Sequence, residues 1–135
     1  PYEEVAYDLY RKADGGTIYG IGRMGDLPKP ISWPALQKVV IHNIAPACAT
    51  VKPSRSAIKR VAVFAGSGKS GVVPAALQGA DVLVTGELDH HARLEAEWRG
   101  LGVIEVGHAE SEKLILPILE KMIYRMIPSI NLFLL

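Results

Sequence analysis

Two short apolar runs in the middle of the chain each end in a cluster of glycine, glutamate and histidine. Residues 82–84 lead into Thr85-Gly86-Glu87-Leu88-Asp89-His90-His91, and residues 103–106 lead into Gly107-His108-Ala109-Glu110-Ser111-Glu112. Between them, residues 92–99 have the apolar spacing of a helix, and Gly100 is a natural stop. This order predicts a parallel strand, helix, strand unit, whose two strand ends lie at the same edge of a sheet.

The pattern on either side of this unit extends it into an α/β fold. The predicted elements are strands at 60–64 and 130–135, helices at 72–78 and 109–124, and a glycine-rich loop at 66–71. The loop follows the strand at 60–64 directly, so a third strand end should reach the same edge of the sheet. That end carries Gly66, Ser67 and Gly68.

The first third of the chain is less regular. We predict a helix at 2–10, a turn at Gly15-Gly16, a strand at 18–24 that Pro28 and Pro30 end, a helix at 33–43 capped by Ser32, and a strand at 47–51. Residues 52–56 are the best linker candidate. They divide the chain into domains at 1–56 and 57–135.

Composition narrows the class of protein. With 135 residues, 49% of them hydrophobic and 21% charged, the chain can bury a core and is not expected to be disordered. A formal net charge of +1 gives no electrostatic case for nucleic acid. The single Cys48 excludes an internal disulfide and fits a reducing compartment. No apolar run reaches the roughly 20 residues of a membrane span, so we expect a soluble intracellular protein without a membrane partner.

His108 and Glu112 are the strongest candidates for chemistry. They are four residues apart, and if a helix begins near Ala109, Glu112 projects back from its first turn toward the imidazole of His108. One nitrogen and one carboxylate oxygen suit a divalent transition metal such as Zn, Mn or Fe. The alternative is that Glu112 complements the helix dipole and His108 only occupies a turn.

The glycine-rich loop permits two interpretations. Gly68-Lys69-Ser70 matches the last three positions of a phosphate-binding P-loop, but Val63 stands where that motif requires its first glycine. The mismatch favours a tight turn from strand to helix, whose backbone N–H groups come close to whatever binds at the edge.

These motifs together resemble the Nif-three-like family, also called the GTP cyclohydrolase I type 2 homologs. The resemblance is carried by the Gly66-Ser67-Gly68 loop, by Thr85-Gly86-Glu87 with His91, and by Gly107-His108-x-x-Ser111-Glu112. The opening Pro1-Tyr2-Glu3-Glu4 and the stretch Gly20-x-Gly22-Arg23-x-Gly25 resemble the PII-like domain that many members carry between their two halves. The chain is therefore expected to hold the end of that insertion at 1–56 and the C-terminal α/β half at 57–135.

The resemblance implies a site for two divalent metal ions. In the family, two adjacent His and an Asp come from the first half of the protein, and a His and a Glu come from the second. Carried over, His108 and Glu112 become metal ligands, while Glu87, His91 and Thr85 line the pocket. His90-His91 belongs to a different motif from the His pair of the first half. Only the second set of ligands is present here, so this chain alone is expected to be inactive.

Two functions of different class follow from the resemblance. The first is a metal-dependent hydrolase acting on phosphoester or nucleotide-like substrates. The second is a non-enzymatic interaction or regulatory module with protein partners in transcription. Self-association into a ring-like homo-oligomer is expected in both cases, supported by the apolar residues 127–135. The expected location is the cytoplasm, or the nucleus or mitochondrion in a eukaryote.

Overall fold

The described residues of this computed structural model, 22–45 and 49–133, form five strands and five α-helices. The strands are β1 (Gly22–Ser32), β2 (Ala49–Val51), β3 (Ala57–Ser67), β4 (Val82–Glu87) and β5 (Gly102–Glu105). The helices are α1 (Trp33–Asn43), α2 (Val72–Leu77), α3 (His90–Trp98), α4 (His108–Lys113) and α5 (Leu116–Met126), and a short 3-10 turn covers Lys69–Gly71. The chain is thus an α/β protein.

All five strands belong to one sheet in the order β1-β3-β4-β5-β2. The three central strands are parallel, and the outer strands β1 and β2 run antiparallel to their neighbours β3 and β5. The predicted parallel unit is therefore confirmed. The carboxyl ends of β3, β4 and β5 meet at one edge, as the pattern of apolar runs indicates.

Helices cover both faces of the sheet, which explains the apolar runs in the middle of the central strands. On one face, Phe64 and Leu83 pack with Val72 of α2 and Ala96 of α3. On the other face, the side chains of α1 pack against the alternate residues of the same strands. The buried members of this second cluster are Leu36, Val40, Ala45, Ile58, Val82, Val84, Ile104 and Val106.

The prediction that Pro28 and Pro30 end the first strand is wrong. Strand β1 continues to Ser32, and its pairing with β3 is irregular between Asp26 and Ile31. Because β1 is an edge strand, a proline that cannot donate a hydrogen bond is tolerated at such an irregularity. Other strand predictions hold more closely, since β2 and β4 overlap their predicted ranges and β5 differs from its range by one residue at each end.

Two helices differ from their predicted ranges. Helix α3 begins at His90 rather than Ala92, because the carboxylate of Asp89 accepts a hydrogen bond from the Ala92 N–H and caps the helix. The predicted helix at 109–124 is instead the two helices α4 and α5. Pro117 explains the break, because a proline clashes with the carbonyl four residues before it, here that of Lys113, the last residue of α4.

Several predictions concern residues outside the described ranges. These are the helix at 2–10, the turn at Gly15-Gly16, the first part of the strand at 18–24, and Cys48. Residues 130–133 of the predicted last strand form no strand. No helix among the described residues is long and apolar enough to cross a membrane.

Strands from both sides of the predicted boundary at residue 56 share the sheet. Strands β1 and β2 come before it, and both pair with strands that follow it. The assignment of residues 1–56 to a PII-like domain stays a prediction.

Candidate functional site

The carboxyl edge of the sheet places His108 beside the end of β4. Main-chain hydrogen bonds from Val106 to Thr85 (2.9 Å) and from Gly107 to Gly86 (2.8 Å) continue the pairing of β4 and β5 beyond the last residue of β5. Gly107 then has a φ of 95°, a conformation that favours glycine, and turns the chain into α4. His108 is the first residue of that helix.

The imidazole of His108 lies between two carboxylates. Its Nδ1 is 2.9 Å from Oε1 of Glu87, and its Nε2 is 3.2 Å from Oε1 of Glu112. All three side chains are about half exposed, at 47% for His108 and 56% for each glutamate. The structure thus brings Glu112 to His108 as their spacing predicts, and it adds Glu87 on the other side of the ring.

These contacts favour the protonated form of the histidine. The hydrogen bond with Glu87 and the negative charge of Glu112 raise the pKa of His108 above its ordinary value of 6.5. A neutral imidazole carries a single N–H hydrogen, and both carboxylates can only accept it. The shorter contact, 2.9 Å from Nδ1 to Glu87 against 3.2 Å from Nε2 to Glu112, favours Nδ1 as the donor. The free lone pair is then on Nε2, the nitrogen that faces Glu112.

Ser111 connects α4 to the glycine-rich loop. Its hydroxyl accepts a hydrogen bond from the Gly66 N–H at 2.8 Å and donates one to the His108 carbonyl at 2.7 Å. The approach is close, because a Cβ on Gly66 would lie 2.7 Å from Oε1 of Glu112, and one on Gly86 would lie 2.4 Å from the Gly66 carbonyl oxygen. Glycine at both positions therefore lets the two strand ends meet α4.

The loop itself continues the sheet and does not form a P-loop. Strand β3 extends to Ser67, which pairs with Glu87, and the Gly68 N–H donates to the Glu87 carbonyl at 3.0 Å. Lys69, the position that would contact phosphate in a P-loop, forms an ion pair with Asp89 at 2.8 Å. This pairing and the Ala92 N–H hold the pKa of Asp89 below its usual range.

The other predicted site residues lie at the same edge in different surroundings. Thr85 is buried and its hydroxyl donates to the Gly66 carbonyl at 3.4 Å, so it links β4 to the glycine-rich loop. His91 is exposed in the first turn of α3, with its ring centroid 5.7 Å from that of His90. Glu87, rather than His91, is the residue of its motif that contacts His108.

A second charged pair lies at this edge, at residues outside those that the sequence motifs indicated. Glu105, at the end of β5, is only 6% exposed, and both of its oxygens accept hydrogen bonds from the guanidinium of Arg93 on α3, at 2.6 and 2.7 Å. The bidentate contact with Glu105 raises the pKa of Arg93 above its ordinary value. A glutamate inside an otherwise apolar buried strand was the available signal, because a buried charge needs a partner.

The described residues do not form a complete metal site. No group of three or more His, Cys, Asp or Glu side chains in ranges 22–45 and 49–133 is arranged to hold one ion. The geometry explains this, because Glu87 and Glu112 contact opposite nitrogens of the same imidazole. His108 and Glu112 fit a metal by ligand type, and further ligands would have to come from elsewhere.

An apolar cavity of about 310 Å³ adjoins the site on the face of the sheet that α1 covers. Its lining includes the strand residues Val63 and Val84 and reaches Ser111 and Leu114 of the segment that carries the site. A wider cleft continues from Ser111 and Glu112 along Ile115 and Ile118. The cluster of Glu87, His108 and Glu112 therefore lies at the edge of an exposed apolar surface.

The fold and this edge define an α/β protein with a histidine–carboxylate cluster at the ends of its parallel strands. The profile of the Duf34/NIF3 (NGG1p interacting factor 3) family matches residues 6–134. The chain therefore belongs to the Duf34/NIF3 family, as its motifs predict.

Individual relatives agree with the family match. The chain is 37% identical over 109 residues to a GTP cyclohydrolase 1 type 2 homolog of Halalkalibacterium halodurans and 36% identical to that of Bacillus subtilis, matching 80% of this chain in both cases. A crystal structure of the Staphylococcus aureus hypothetical protein SA1388 covers 84% of this chain with a TM-score of 0.67 and 31% identity.

The matched regions are only part of those proteins. The chain spans 29% of the length of the two bacterial relatives and 39% of the Staphylococcus aureus chain. The relatives thus have a large region that this chain does not match.

Proposed function

We propose that this chain supplies His108 and Glu112 as ligands of a divalent metal ion in a longer Duf34/NIF3 protein that acts as a metal-dependent hydrolase. The observation that carries the proposal is the position of the His108 imidazole, with Nδ1 2.9 Å from Glu87 and Nε2 3.2 Å from Glu112. One nitrogen is fixed by a carboxylate, and the other faces a second ligand.

The distances and chemistry of these groups are appropriate. Two donors that each lie about 2.0–2.2 Å from one zinc ion are separated by roughly 3–3.5 Å, which includes the distance between Nε2 and the Glu112 oxygen. Metal-binding histidines commonly donate the other ring N–H to a carboxylate, which fixes the tautomer and makes the ligand nitrogen more basic. Glu87 is in that position relative to His108.

The hydrolase proposal extends this site to the intact protein. Two divalent ions, as in the site that the family resemblance implies, would polarise the substrate and make a bound water acidic enough to attack it at neutral pH. Glu87 is half exposed beside His108 and can accept and return a proton. The name of the relatives, GTP cyclohydrolase 1 type 2 homolog, supports a nucleotide-like or phosphoester substrate. The remaining ligands, two His and an Asp, would come from the region that this chain does not match.

Metal titration tests the ligand assignment. By calorimetry, the chain alone should bind Zn²⁺ or Mn²⁺ weakly, because two protein ligands leave most coordination positions to water. His108→Ala should abolish this binding, and Glu112→Ala should weaken it strongly. His90→Ala is the matched control, since it removes an exposed histidine at the same edge of the sheet and should change little.

Tight binding that survives His108→Ala would refute the ligand assignment. The hydrolase assignment is tested separately on the full-length protein, with phosphoester and nucleotide substrates before and after chelation. Hydrolysis that requires the metal and is lost on His108→Ala supports it. Metal binding without turnover of any such substrate counts against it.

A second candidate function is a non-enzymatic interaction module, and the exposed apolar surface of α5 supports binding to other protein chains. Helix α5 and its flanks expose a continuous series of large apolar side chains, and α5 has no buried residue. Soluble monomers rarely expose so large an apolar patch. The side chains are Leu114, Ile115, Leu116, Ile118, Leu119, Met122, Tyr124, Met126 and Ile127.

Light scattering checks the self-association. The chain should scatter as an oligomer, and Ile118→Gln should shift it toward the monomer because Ile118 lies in the apolar series. Lys121→Gln changes an exposed polar position of the same helix and should leave the mass unchanged. A wild-type chain that is monomeric at high concentration would argue against this function.

A further inference from the structure

Glu105 holds the connection between β4 and α3. Besides its two hydrogen bonds from Arg93, its Oε2 accepts the N–H of Leu88 at 3.1 Å. Glu105 is 6% exposed and Leu88 is 5% exposed, although Leu88 lies between the exposed residues Glu87 and Asp89. A buried carboxylate with three donors has little freedom to move, so this connection is fixed to β5.

The hydrogen bond to Leu88 fixes one side of the peptide group that follows Glu87. The other side is fixed as well, because the Glu87 carbonyl accepts the Gly68 N–H at 3.0 Å. A planar peptide held at both its oxygen and its nitrogen cannot rotate without breaking one of these bonds. This peptide group restrains the Glu87 Cα from its C-terminal side, and the pairing of Glu87 with Ser67 in the sheet restrains the same residue as part of β4.

Glu87 has little other support. Its side chain is 56% exposed, and the contact that orients its carboxylate is the one with Nδ1 of His108. An exposed glutamate has several accessible rotamers, so its average position relative to His108 depends on where its backbone is held.

We infer that Glu105, braced by Arg93, is a positioning residue that keeps Glu87 against Nδ1 of His108 and so keeps the lone pair of the neutral imidazole on Nε2. Its effect on a bound metal rests on the proposed function. Its effect on the histidine does not, because the tautomer of His108 is a property of the metal-free chain.

Nuclear magnetic resonance tests the inference without metal. Long-range ¹H–¹⁵N correlations of the imidazole, recorded at a pH where His108 is neutral, distinguish the tautomer with hydrogen on Nδ1 from the one with hydrogen on Nε2. The wild type should be mainly the Nδ1–H tautomer. Glu105→Gln should shift His108 toward the mixture seen in Glu87→Gln, because Gln cannot accept both Arg93 and Leu88 as the carboxylate does.

Asp81→Asn is the matched control. Among the described residues, Asp81 is the other buried carboxylate that accepts hydrogen bonds from backbone N–H groups and from an arginine, but it lies at the opposite end of β4. It should lower the urea midpoint as Glu105→Gln does and leave the His108 tautomer unchanged. If both variants alter the tautomer equally, the effect is general loosening and the inference is wrong.

Arg93→Lys is the second variant, in case Glu105→Gln does not fold. Lysine keeps a positive charge near Glu105 but cannot hold both of its oxygens, so the tautomer should shift by an intermediate amount. An unchanged tautomer in a folded Glu105→Gln or Arg93→Lys chain would overturn the inference.

Metal affinity provides the readout that depends on the proposed function. Changes to residues that orient a histidine ligand typically weaken metal binding by about 10–100-fold, and Glu105→Gln should weaken Zn²⁺ binding within that range. A wild type that binds no Zn²⁺, combined with the expected tautomer shift, would reject the proposed function and retain the inference. A tautomer shift with unchanged Zn²⁺ affinity would overturn the effect on metal.

Discussion

Both ends of the parallel strands hold a buried carboxylate, Asp81 at the amino end and Glu105 at the carboxyl end, but the carboxyl end also carries an exposed histidine–carboxylate cluster. At the amino end, Asp81 is 4% exposed and accepts hydrogen bonds from the Lys59 and Arg60 N–H groups, each at 2.8 Å, and from Arg55 at 2.9 Å. At the carboxyl end, Glu87, His108 and Glu112 are about half exposed, and each glutamate contacts one nitrogen of the His108 ring.

The loops around the two ends differ in the same sense. At the amino end, the segment before β3 closes over the sheet, with Pro53 so close to Gly102 that a Cβ there would lie 2.9 Å from it. At the carboxyl end, the side chains that contact His108 leave part of the ring open to solvent. Buried charge with saturated hydrogen bonds serves stability, while exposed, mutually constrained charge remains available to a ligand.

The largest expected difference between the two ends is in stability. Asp81→Ala leaves two partly buried backbone N–H groups without their acceptor, each costing about 1–3 kcal/mol, so the free energy of unfolding should fall by roughly 2–5 kcal/mol. Glu87→Ala removes an exposed side chain and should change it by about 0.5 kcal/mol or less. Urea unfolding of both variants at one pH measures this, and equal losses would contradict the comparison.

An intermediate loss of stability is expected when the backbone next to the histidine–carboxylate cluster is changed. Gly86→Ala places a Cβ 2.4 Å from the Gly66 carbonyl oxygen, so the strand ends must move apart at a cost of about 1–3 kcal/mol. Gly25→Ala is the control, because a Cβ there meets no atom within 4 Å. Its effect should be about 1 kcal/mol or less. If the two variants are equally stable, the packing of glycines under the site is not important for the fold.

The sequence predicts the parallel core well because its signals there are local. Apolar runs that end in glycine define the strands, and the hydroxyl of Ser32 caps α1 by accepting the Ala35 N–H as predicted. The errors come from features whose meaning depends on position in the sheet. Pro28 and Pro30 are tolerated because β1 is an edge strand, and nothing in the residues around them shows which strand is at the edge.

The contacts of the candidate site follow the same rule, because those within one helix turn are predictable from the sequence and those between separate elements are not. The spacing of four between His108 and Glu112 predicts their contact, since it depends on one helix turn. The contact of Glu87 with His108 and the pairing of Glu105 with Arg93 depend on how β4, β5 and α3 are placed in three dimensions. That placement also leaves His91 outside the contacts of His108, although its motif suggested a place in the pocket. Metal binding by His108 and Glu112 stays a prediction.

The smallest expected effect is a pH dependence that arises from His108 at the carboxyl end of the strands. Glu87 and Glu112 raise the pKa of His108 in the folded chain above its ordinary value of 6.5, so between these two pKa values the folded state binds more protons than the unfolded state. The stability that results is fully present below the ordinary value and is lost as the pH rises through the folded pKa. In the metal-free chain, the urea midpoint should therefore decline slightly across this window, and the ¹H resonance of the His108 ring should titrate above pH 6.5.

Glu87→Gln should lower that titration midpoint because it removes the largest cause of the raised pKa, whereas His90→Gln should leave it in place. A His108 midpoint at or below 6.5 in the wild type would mean that the two carboxylates do not hold the imidazole in solution, and the contrast between the two ends would then be one of exposure alone.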